Sequence, residues 1–161
     1  MIRSKGNLPL SVLRGCGLSD IQIEMAKLHN PALSPAKKLY AHLQDIGVRC
    51  WFAPEDLKIG DNIRLGIDQA IRVHDKLLLI LSEESINSYW VEHEVETAFA
   101  KERITRERVL FPIRIDDSVM SMTNGWAATI HNTRHIGDFR DWQSEAGYAA
   151  GFGRLLADLK A

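Results

Sequence analysis

The run from Lys76 to Ser82 constrains the fold of this chain more than any other segment. Its five middle residues, Leu77 to Leu81, are all aliphatic. A strand that is apolar at successive positions is covered on both faces, as happens in a parallel sheet between two layers of helices. Five aliphatic residues are far short of the roughly 20 that cross a bilayer. The run therefore predicts a buried parallel strand.

The rest of the chain alternates helix-period segments with short apolar runs, which is the pattern of an α/β domain. Pro112 cannot donate a ladder hydrogen bond, so its strand must lie near an edge of the sheet or leave that position unpaired. In chain order, the predicted elements are a helix from Ser34 to Gly47, a strand at Val48–Phe52, a polar loop at Ala53–Asp61, a helix carrying Ile63 to Ile71, the strand Lys76–Ser82, a helix from about Ser88 to Arg103, a strand at Val109–Ile115, an irregular or weakly helical stretch at Asp116–Thr133, a short strand at Arg134–Phe139 and a helix at Asp141–Lys160.

Charge and cysteine content exclude several classes of protein. With 20 basic and 21 acidic residues among 161, the chain has no overall positive field for a polyanion, so we expect no nucleic-acid partner. Cys16 and Cys50 are too few for a disulfide framework and lack metal-ligand spacing, so we expect a reducing compartment and no metal. The apolar stretch Leu8–Leu13 is interrupted by Pro and Ser and followed by Arg14, which is unlike a signal peptide. We therefore expect a cytoplasmic protein without membrane contact.

Most motifs that would indicate an enzyme are absent. The segment His93–Thr97 lacks the second histidine that a helical zinc site needs one turn later. Gly15–Gly17 has no third glycine for a dinucleotide-binding loop, and the chain contains neither a phosphate-binding P-loop nor a G-x-S-x-G turn.

Trp90 and Glu94 remain as candidates for chemistry. They lie one turn apart on the predicted helix, at the margin of its apolar stripe. This helix follows a strand, so it begins at the carboxyl end of the sheet, where open α/β folds bind ligands. A half-buried carboxylate there would have its charge incompletely solvated, which indicates function. The alternative is an ordinary solvated glutamate beside an apolar stripe.

Five segments carry a resemblance to a known family: Gly47–Asp56, Ile59–Asp61, Asp75–Ser82, Tyr89–Ala98 and Phe139–Trp142. In order and with correct spacing from about Leu39 to Ala161, they resemble a bacterial Toll/interleukin-1 receptor (TIR) domain. The resemblance implies a flavodoxin-like, three-layer α/β/α fold with a mainly parallel sheet in the order 2-1-3-4-5. It also implies an NAD+ glycohydrolase that cleaves the nicotinamide–ribose bond, in signal transduction or bacterial defence.

The resemblance also assigns roles to individual residues. Glu94 matches the catalytic glutamate that ends the W-x-x-x-E pattern of the family, and Trp90 matches its tryptophan. Trp51 would border the nicotinamide or pack in the core, and we expect Phe139 and Trp142 to pack in the core. The loop Ala53–Asp61 matches the family's self-association loop, with Pro54, Glu55, Asp56, Lys58, Gly60 and Asp61 as its candidate residues. The expected partners are NAD+, as substrate rather than cofactor, and other TIR domains.

One carboxylate is sufficient for the implied chemistry. Most glycosidases need two, one of which protonates a poor leaving group. In NAD+ the nicotinamide is already cationic and departs as a neutral molecule, so no general acid is required. Glu94 would hold the ribose hydroxyls and stabilise the developing oxocarbenium charge, while Trp90 and Trp51 exclude water. Attack by water would give linear ADP-ribose and attack by the adenine a cyclic product, and the residues do not distinguish the two.

The N-terminal segment departs from the family. The usual first-strand box, roughly F-I-S-Y-S, falls on Met25–Asn30, which does not match it. Residues 19 to 29 instead predict a helix, since Ser19 and Gln22 form a capping-box pattern, and only Leu8–Arg14 is left as a substitute strand. We therefore expect residues 1–34 to be an atypical segment, either replacing the first strand or disordered, before a TIR domain at 35–161. An altered or mis-started form of a longer domain is the favoured explanation.

Two other functions compete with the enzyme. A non-catalytic TIR module would act through self-association by the loop at Ala53–Asp61. A phosphorylated receiver domain is weakly indicated, because only Asp116 and Asp117 supply an acidic pair after a strand.

Overall fold

The computed structural model describes residues 21–24 and 35–161, which form a five-stranded sheet with helices. The strands are β1 (Ile21–Glu24), β2 (Cys50–Phe52), β3 (Lys76–Leu81), β4 (Leu110–Arg114) and β5 (Gly137–Asp138). The helices are α1 (Pro35–Asp45), α2 (Ala53–Asp56), α3 (Ile63–Val73), α4 (Glu83–Ile86), α5 (Tyr89–Thr105), α6 (Gly125–Thr133) and α7 (Glu145–Lys160), with a 3-10 turn at Ser118–Ser121.

The strand order is β2-β1-β3-β4-β5 and every pairing is parallel. This is the strand order that the family resemblance implies and the parallel orientation that the apolar runs predict, and the flavodoxin-like α/β/α class is confirmed. Leu77 to Leu81 of β3 are each at most 4% exposed. Because successive side chains of a strand point to opposite faces, both faces of the sheet are covered at its centre.

The helices pack in pairs. The His42 ring of α1 stacks on Phe152 of α7 with centroids 3.7 Å apart, and His42 Nδ1 lies 3.1 Å from the Tyr148 hydroxyl. Helices α3 and α5 contact each other through Asp68 and His93, as described below. Two layers of helices thus enclose the buried sheet.

The predicted helix at residues 19–29 is wrong, because Ile21–Glu24 is β1, an interior strand between β2 and β3. It pairs with β2 through Ile21 opposite Cys50 and with β3 through Ile21 opposite Lys76. The capping-box pattern and helical spacing are local preferences, and they are outweighed by the hydrogen bonds that two flanking strands offer a chain between them. The alternation Ile-Gln-Ile-Glu, with β-branched residues at 21 and 23, is a strand pattern.

The central position is therefore filled by this chain, in line with the alternative in which its N-terminal segment replaces the first strand. The expectation of an altered or mis-started chain rests on an unfilled strand position between β2 and β3, and β1 occupies that position. The other candidate strand, Leu8–Arg14, lies outside the described residues.

Pro112 faces β5 at a position where β4 and β5 are not paired. The Phe139 amide donates to the Arg114 carbonyl, and the Ile115 amide donates to the Leu81 carbonyl. Successive residues of a parallel strand bond to its two neighbours in turn, so residue 114, and with it Pro112, faces the β5 side. The β4–β5 pairing extends only to Ile113 and Arg114. The missing amide of Pro112 therefore costs no ladder bond, as the sequence predicted for a position near an edge.

Candidate functional site

Helix α5 begins close to the carboxyl end of β3. Short helix α4 follows β3 directly, and Ser82 and Ser85 cap it reciprocally: the Ser82 amide donates to Ser85 Oγ at 2.7 Å and the Ser85 amide to Ser82 Oγ at 3.3 Å. Ser88 then caps α5, its side chain accepting from the Val91 amide. These caps satisfy amide groups that a helix leaves unpaired at its start, and they hold the first turn of α5 beside the sheet.

Glu94 lies within the apolar stripe of α5 rather than at its margin. Val91, Val95 and Ala98 of the same stripe are at most 2% exposed, and Glu94 itself is 2% exposed. Placing a carboxylate so deep is costly compared with leaving it in water. The alternative of an ordinary solvated glutamate is therefore wrong for Glu94, whereas it describes Glu96, which is exposed on the same helix.

Trp90 lies one turn before Glu94 and is 46% exposed, and its neighbour Tyr89 is 68% exposed. Along the axis of α5, Trp90 and Glu94 are separated by about 6 Å of helix rise. Arg64, in the first turn of α3, lies over both rings: its guanidinium carbon is 5.6 Å from the Trp90 centroid and 5.7 Å from the Tyr89 centroid. Two aromatic rings and a cation thus border the turn that leads to Glu94.

The register of α5 against α3 is fixed by polar contacts along their length. His93 Nε2 lies 3.1 Å from Asp68 Oδ1. About two turns further along α5, Lys101 Nζ donates to the carbonyls of Ile71, Arg72 and His74 at the end of α3. The roles of Arg64, Asp68 and Lys101 were not predicted from the sequence, because they arise only when the two helices are packed together.

Trp51 lies in the core at 8% exposure. Through β1 it is level with Leu77, since Gln22 is paired with both residues. Leu77 is four residues before the end of β3, or about 13 Å along the strand. This geometry favours the packing role for Trp51 over contact with a ligand at the carboxyl end of the sheet.

The predicted self-association loop begins as a short helix, α2, which has Pro54 in its first turn. Asp56 Oδ2 accepts from the Phe52 amide at 2.6 Å, and burial raises the pKa of the Asp56 carboxyl. Asp61 Oδ2 accepts from the Lys58 amide at 2.8 Å, and Gly60 has a φ of +92°. Left-handed backbone of this kind favours glycine.

These contacts fold the loop so that its two large apolar residues differ in exposure. Leu57 packs against the core, whereas Ile59, between Lys58 and Gly60, is fully exposed to solvent. Glu55 and Lys58 are also exposed. The exposure of Ile59 was not predicted from the sequence, because spacing alone does not show which of the two residues packs inward.

A cavity of about 450 Å³ lies elsewhere, against β4, β5 and α7. Phe111, Phe139 and Leu155 line it with Arg108 and Arg154, and neither Trp90 nor Glu94 does. Phe139 is 2% exposed and Trp142 packs against the core, so the predicted packing role of this pair is confirmed.

Among residues 21–24 and 35–161, no three His, Cys, Asp or Glu side chains are grouped as a metal would require. None of the helices in the same part of the chain has the length and apolarity of a membrane-spanning segment.

Comparison with known proteins points to one family. A sequence model described as "TIR domain" matches residues 30–156. The NAD(+) hydrolase TcpC of Escherichia coli O6:H1 is 26% identical over 77 residues, 48% of this chain and 25% of that protein. The 2' cyclic ADP-D-ribose synthase AbTIR of Acinetobacter baumannii is 31% identical over 71 residues, 44% of this chain and 26% of that protein. This chain therefore spans about a quarter of the length of these curated relatives.

Solved structures support the same fold. The TIR domain of the Toll-related receptor TRR-2 from Hydra magnipapillata aligns with a TM-score of 0.60 at 11% identity, covering 88% of this chain and 98% of that one. The TIR domains of the activated Roq1 resistosome align with a TM-score of 0.54 at 16% identity, covering 88% and 83%. At these identities the likeness concerns the fold alone.

Proposed function

This chain belongs to the TIR domain family, and from that membership we propose that it cleaves NAD+ between nicotinamide and ribose, with Glu94 as its catalytic residue. The observation that carries the proposal is the placement of Glu94. It is a carboxylate in an apolar stripe, near the carboxyl end of the sheet and one turn from the exposed ring of Trp90. The names of two relatives, an NAD(+) hydrolase and a cyclic ADP-ribose synthase, support the same reaction.

The reaction needs one bond to break before another forms. The electron pair of the bond between ribose C1' and the nicotinamide nitrogen moves to that nitrogen, and nicotinamide leaves as a neutral molecule. The sugar is left as an oxocarbenium ion. In our proposal Glu94 holds the ribose hydroxyls and stabilises this positive charge, an effect that a low-dielectric surrounding strengthens.

Trp90 contributes a flat apolar face and excludes water from the reacting sugar. Attack at C1' by water releases a proton and gives ADP-ribose. Attack by the adenine closes a ring, as does attack by the 2' hydroxyl of the adenosine ribose, which also releases a proton. The names of the relatives include both an NAD(+) hydrolase and a 2' cyclic ADP-D-ribose synthase, and product analysis distinguishes the linear from the cyclic product.

The test is release of nicotinamide from NAD+ by concentrated purified protein. We expect Glu94→Gln to lower the rate by about 10²- to 10³-fold, the size of effect seen when one transition-state-stabilising group is removed. Glu96→Gln, which changes an exposed glutamate of the same helix, is the matched control and should leave the rate unchanged. Release that persists in Glu94→Gln would refute the site, and chromatography of the products separates the linear from the cyclic outcome.

A second candidate function, a module that acts by self-association, is favoured by the fully exposed Ile59 on the folded loop. Burying such a residue between two copies removes apolar surface from water. Sedimentation at increasing concentration tests it with Ile59→Asp, using Ile104→Asp as control, since Ile104 is 83% exposed at the far end of α5. Association that depends on Ile59, with no nicotinamide release under any assembling condition, would favour the non-catalytic module.

A further inference from the structure

Arg64 is a cation beside the candidate site, and it forms no ion pair with a carboxylate in the part of the chain that the structure describes. It is half-buried in the first turn of α3, and its guanidinium lies over the rings of Tyr89 and Trp90. Asp68, the one acidic residue of α3 and one turn after Arg64, is instead bonded to His93.

The ring contacts hold the guanidinium without using its hydrogen-bond donors. A cation–π contact depends on the positive charge over the ring, whereas the five N–H groups of arginine bond to acceptors around its plane. A guanidinium that is positioned by two rings, and whose N–H groups have no acceptor among the described residues, is well suited to bind the oxygens of a phosphate in pairs.

The position of Arg64 relative to Glu94 indicates which phosphate group of a ligand the guanidinium would contact. Arg64 lies over Trp90, which is one helical turn from Glu94. In a nicotinamide dinucleotide, the pyrophosphate follows the nicotinamide ribose directly, through that sugar's 5' carbon. A ribose held at Glu94 can therefore extend its pyrophosphate toward Arg64 along the first turn of α5.

We propose that Arg64 binds the pyrophosphate of the substrate and thereby selects a dinucleotide over a nucleoside. This role deepens the function proposed for Glu94 and rests on it. Tyr89 and Trp90 then hold Arg64 in place, and this contact is a functional reason for two exposed aromatic rings at this position.

The experiment compares two substrates that differ only beyond the nicotinamide ribose. Nicotinamide release is measured with NAD+ and with nicotinamide riboside, which has the same scissile bond but no phosphate. For NAD+ we expect Arg64→Gln to raise KM by about 10- to 100-fold, as for the loss of a charge-assisted hydrogen-bonding pair, with kcat little changed. For nicotinamide riboside, kcat/KM should be the same in both proteins.

Two further variants separate binding from structural damage. Arg64→Lys keeps the charge but loses the paired donors, so its KM for NAD+ should lie between the KM values of the unmodified protein and of Arg64→Gln. Arg72→Gln, in the last turn of α3 and exposed, is the matched control and should behave as the unmodified protein. An equal loss with both substrates would show that Arg64 acts on the fold, and an unchanged KM for NAD+ would overturn the proposal.

The outcome also distinguishes this proposal from the proposed function. Glu94-dependent cleavage with a KM insensitive to Arg64 leaves the function standing and removes the pyrophosphate site. If no nicotinamide is released at all, binding of ADP-ribose to the full chain is measured by calorimetry. Binding that Arg64→Gln weakens by the same factor supports the pyrophosphate site without the reaction, and absent or unaffected binding overturns it.

Discussion

The two ends of helix α5 place charged side chains in opposite situations. At the carboxyl end, Lys101 and Glu102 are bonded to neighbouring elements, and these bonds join the helix to α3 and β4. At the amino end, Glu94 is buried in the apolar stripe beside rings that stay exposed to solvent. Natural proteins place costly, exposed or strained features where function requires them. The contrast therefore separates the part of α5 that stabilises the fold from the part available for chemistry.

Glu102 shows what a structural glutamate on this helix looks like. Its Oε1 accepts from the amides of Val109 and Leu110 at 2.9 and 3.0 Å, and both of its oxygens accept from the Arg134 guanidinium. Burial alone would raise the pKa of the Glu102 carboxyl, but Arg134 and the two amides outweigh burial and hold that pKa below its ordinary value. The bonds link α5 to the start of β4 and to the residue after α6.

The largest effect should come from removing this carboxylate. Glu102→Ala leaves two amides and a guanidinium without their acceptor, so we expect the free energy of unfolding to fall by about 3 kcal/mol. Urea unfolding measures it, with Glu96→Ala as an exposed control that should change stability by less than about 0.5 kcal/mol.

Glu94 and Glu102 should differ in which property of the protein is lost when each is replaced. Nicotinamide release per folded molecule should survive in Glu102→Ala, whereas Glu94→Gln should lose activity without any fall in its unfolding midpoint, because it removes a costly buried charge. If Glu102→Ala proved as stable as Glu96→Ala, or if both glutamates affected activity alike, the division of α5 into two functional ends would be wrong.

Lys101 gives an intermediate effect. Its ammonium donates to three carbonyls at the end of α3, which lack partners within their own helix. Burial also lowers the pKa of Lys101. Lys101→Met keeps the aliphatic stem and removes the donors, so we expect a loss of about 1 to 2 kcal/mol in unfolding free energy. Arg103, two residues later, is exposed, and Arg103→Met serves as the control. Equal stabilities of the two variants would contradict the role assigned to Lys101.

The sequence predicted the parts of this molecule that depend on local pattern. The apolar run of β3, the stripe of α5 and the adjacency of Trp90 and Glu94 follow from spacing along one element, and all three are present. It did not predict β1, because four residues with a nearby capping pattern resemble a helix until two flanking strands are available. Arg64, Lys101 and Glu102 were also missed, since their partners are distant in the chain. The burial depth of Glu94 likewise depends on packing that spacing does not specify.

The smallest predicted effect concerns pH. Because the pKa of Glu102 is lower in the folded protein than its ordinary value of 4.5, its ionised form stabilises the fold above that value. This contribution is lost as the pH falls through the folded pKa. The difference in unfolding free energy between the unmodified protein and Glu102→Gln should therefore be largest near neutral pH and shrink on acidification below about pH 4.5. Other carboxyls titrate alike in both proteins and cancel from this difference. A difference that stayed constant with pH would mean that the charge of Glu102 contributes nothing, and that its hydrogen bonds to Val109 and Leu110, which a glutamine oxygen can also accept, account for its whole effect at this end of α5.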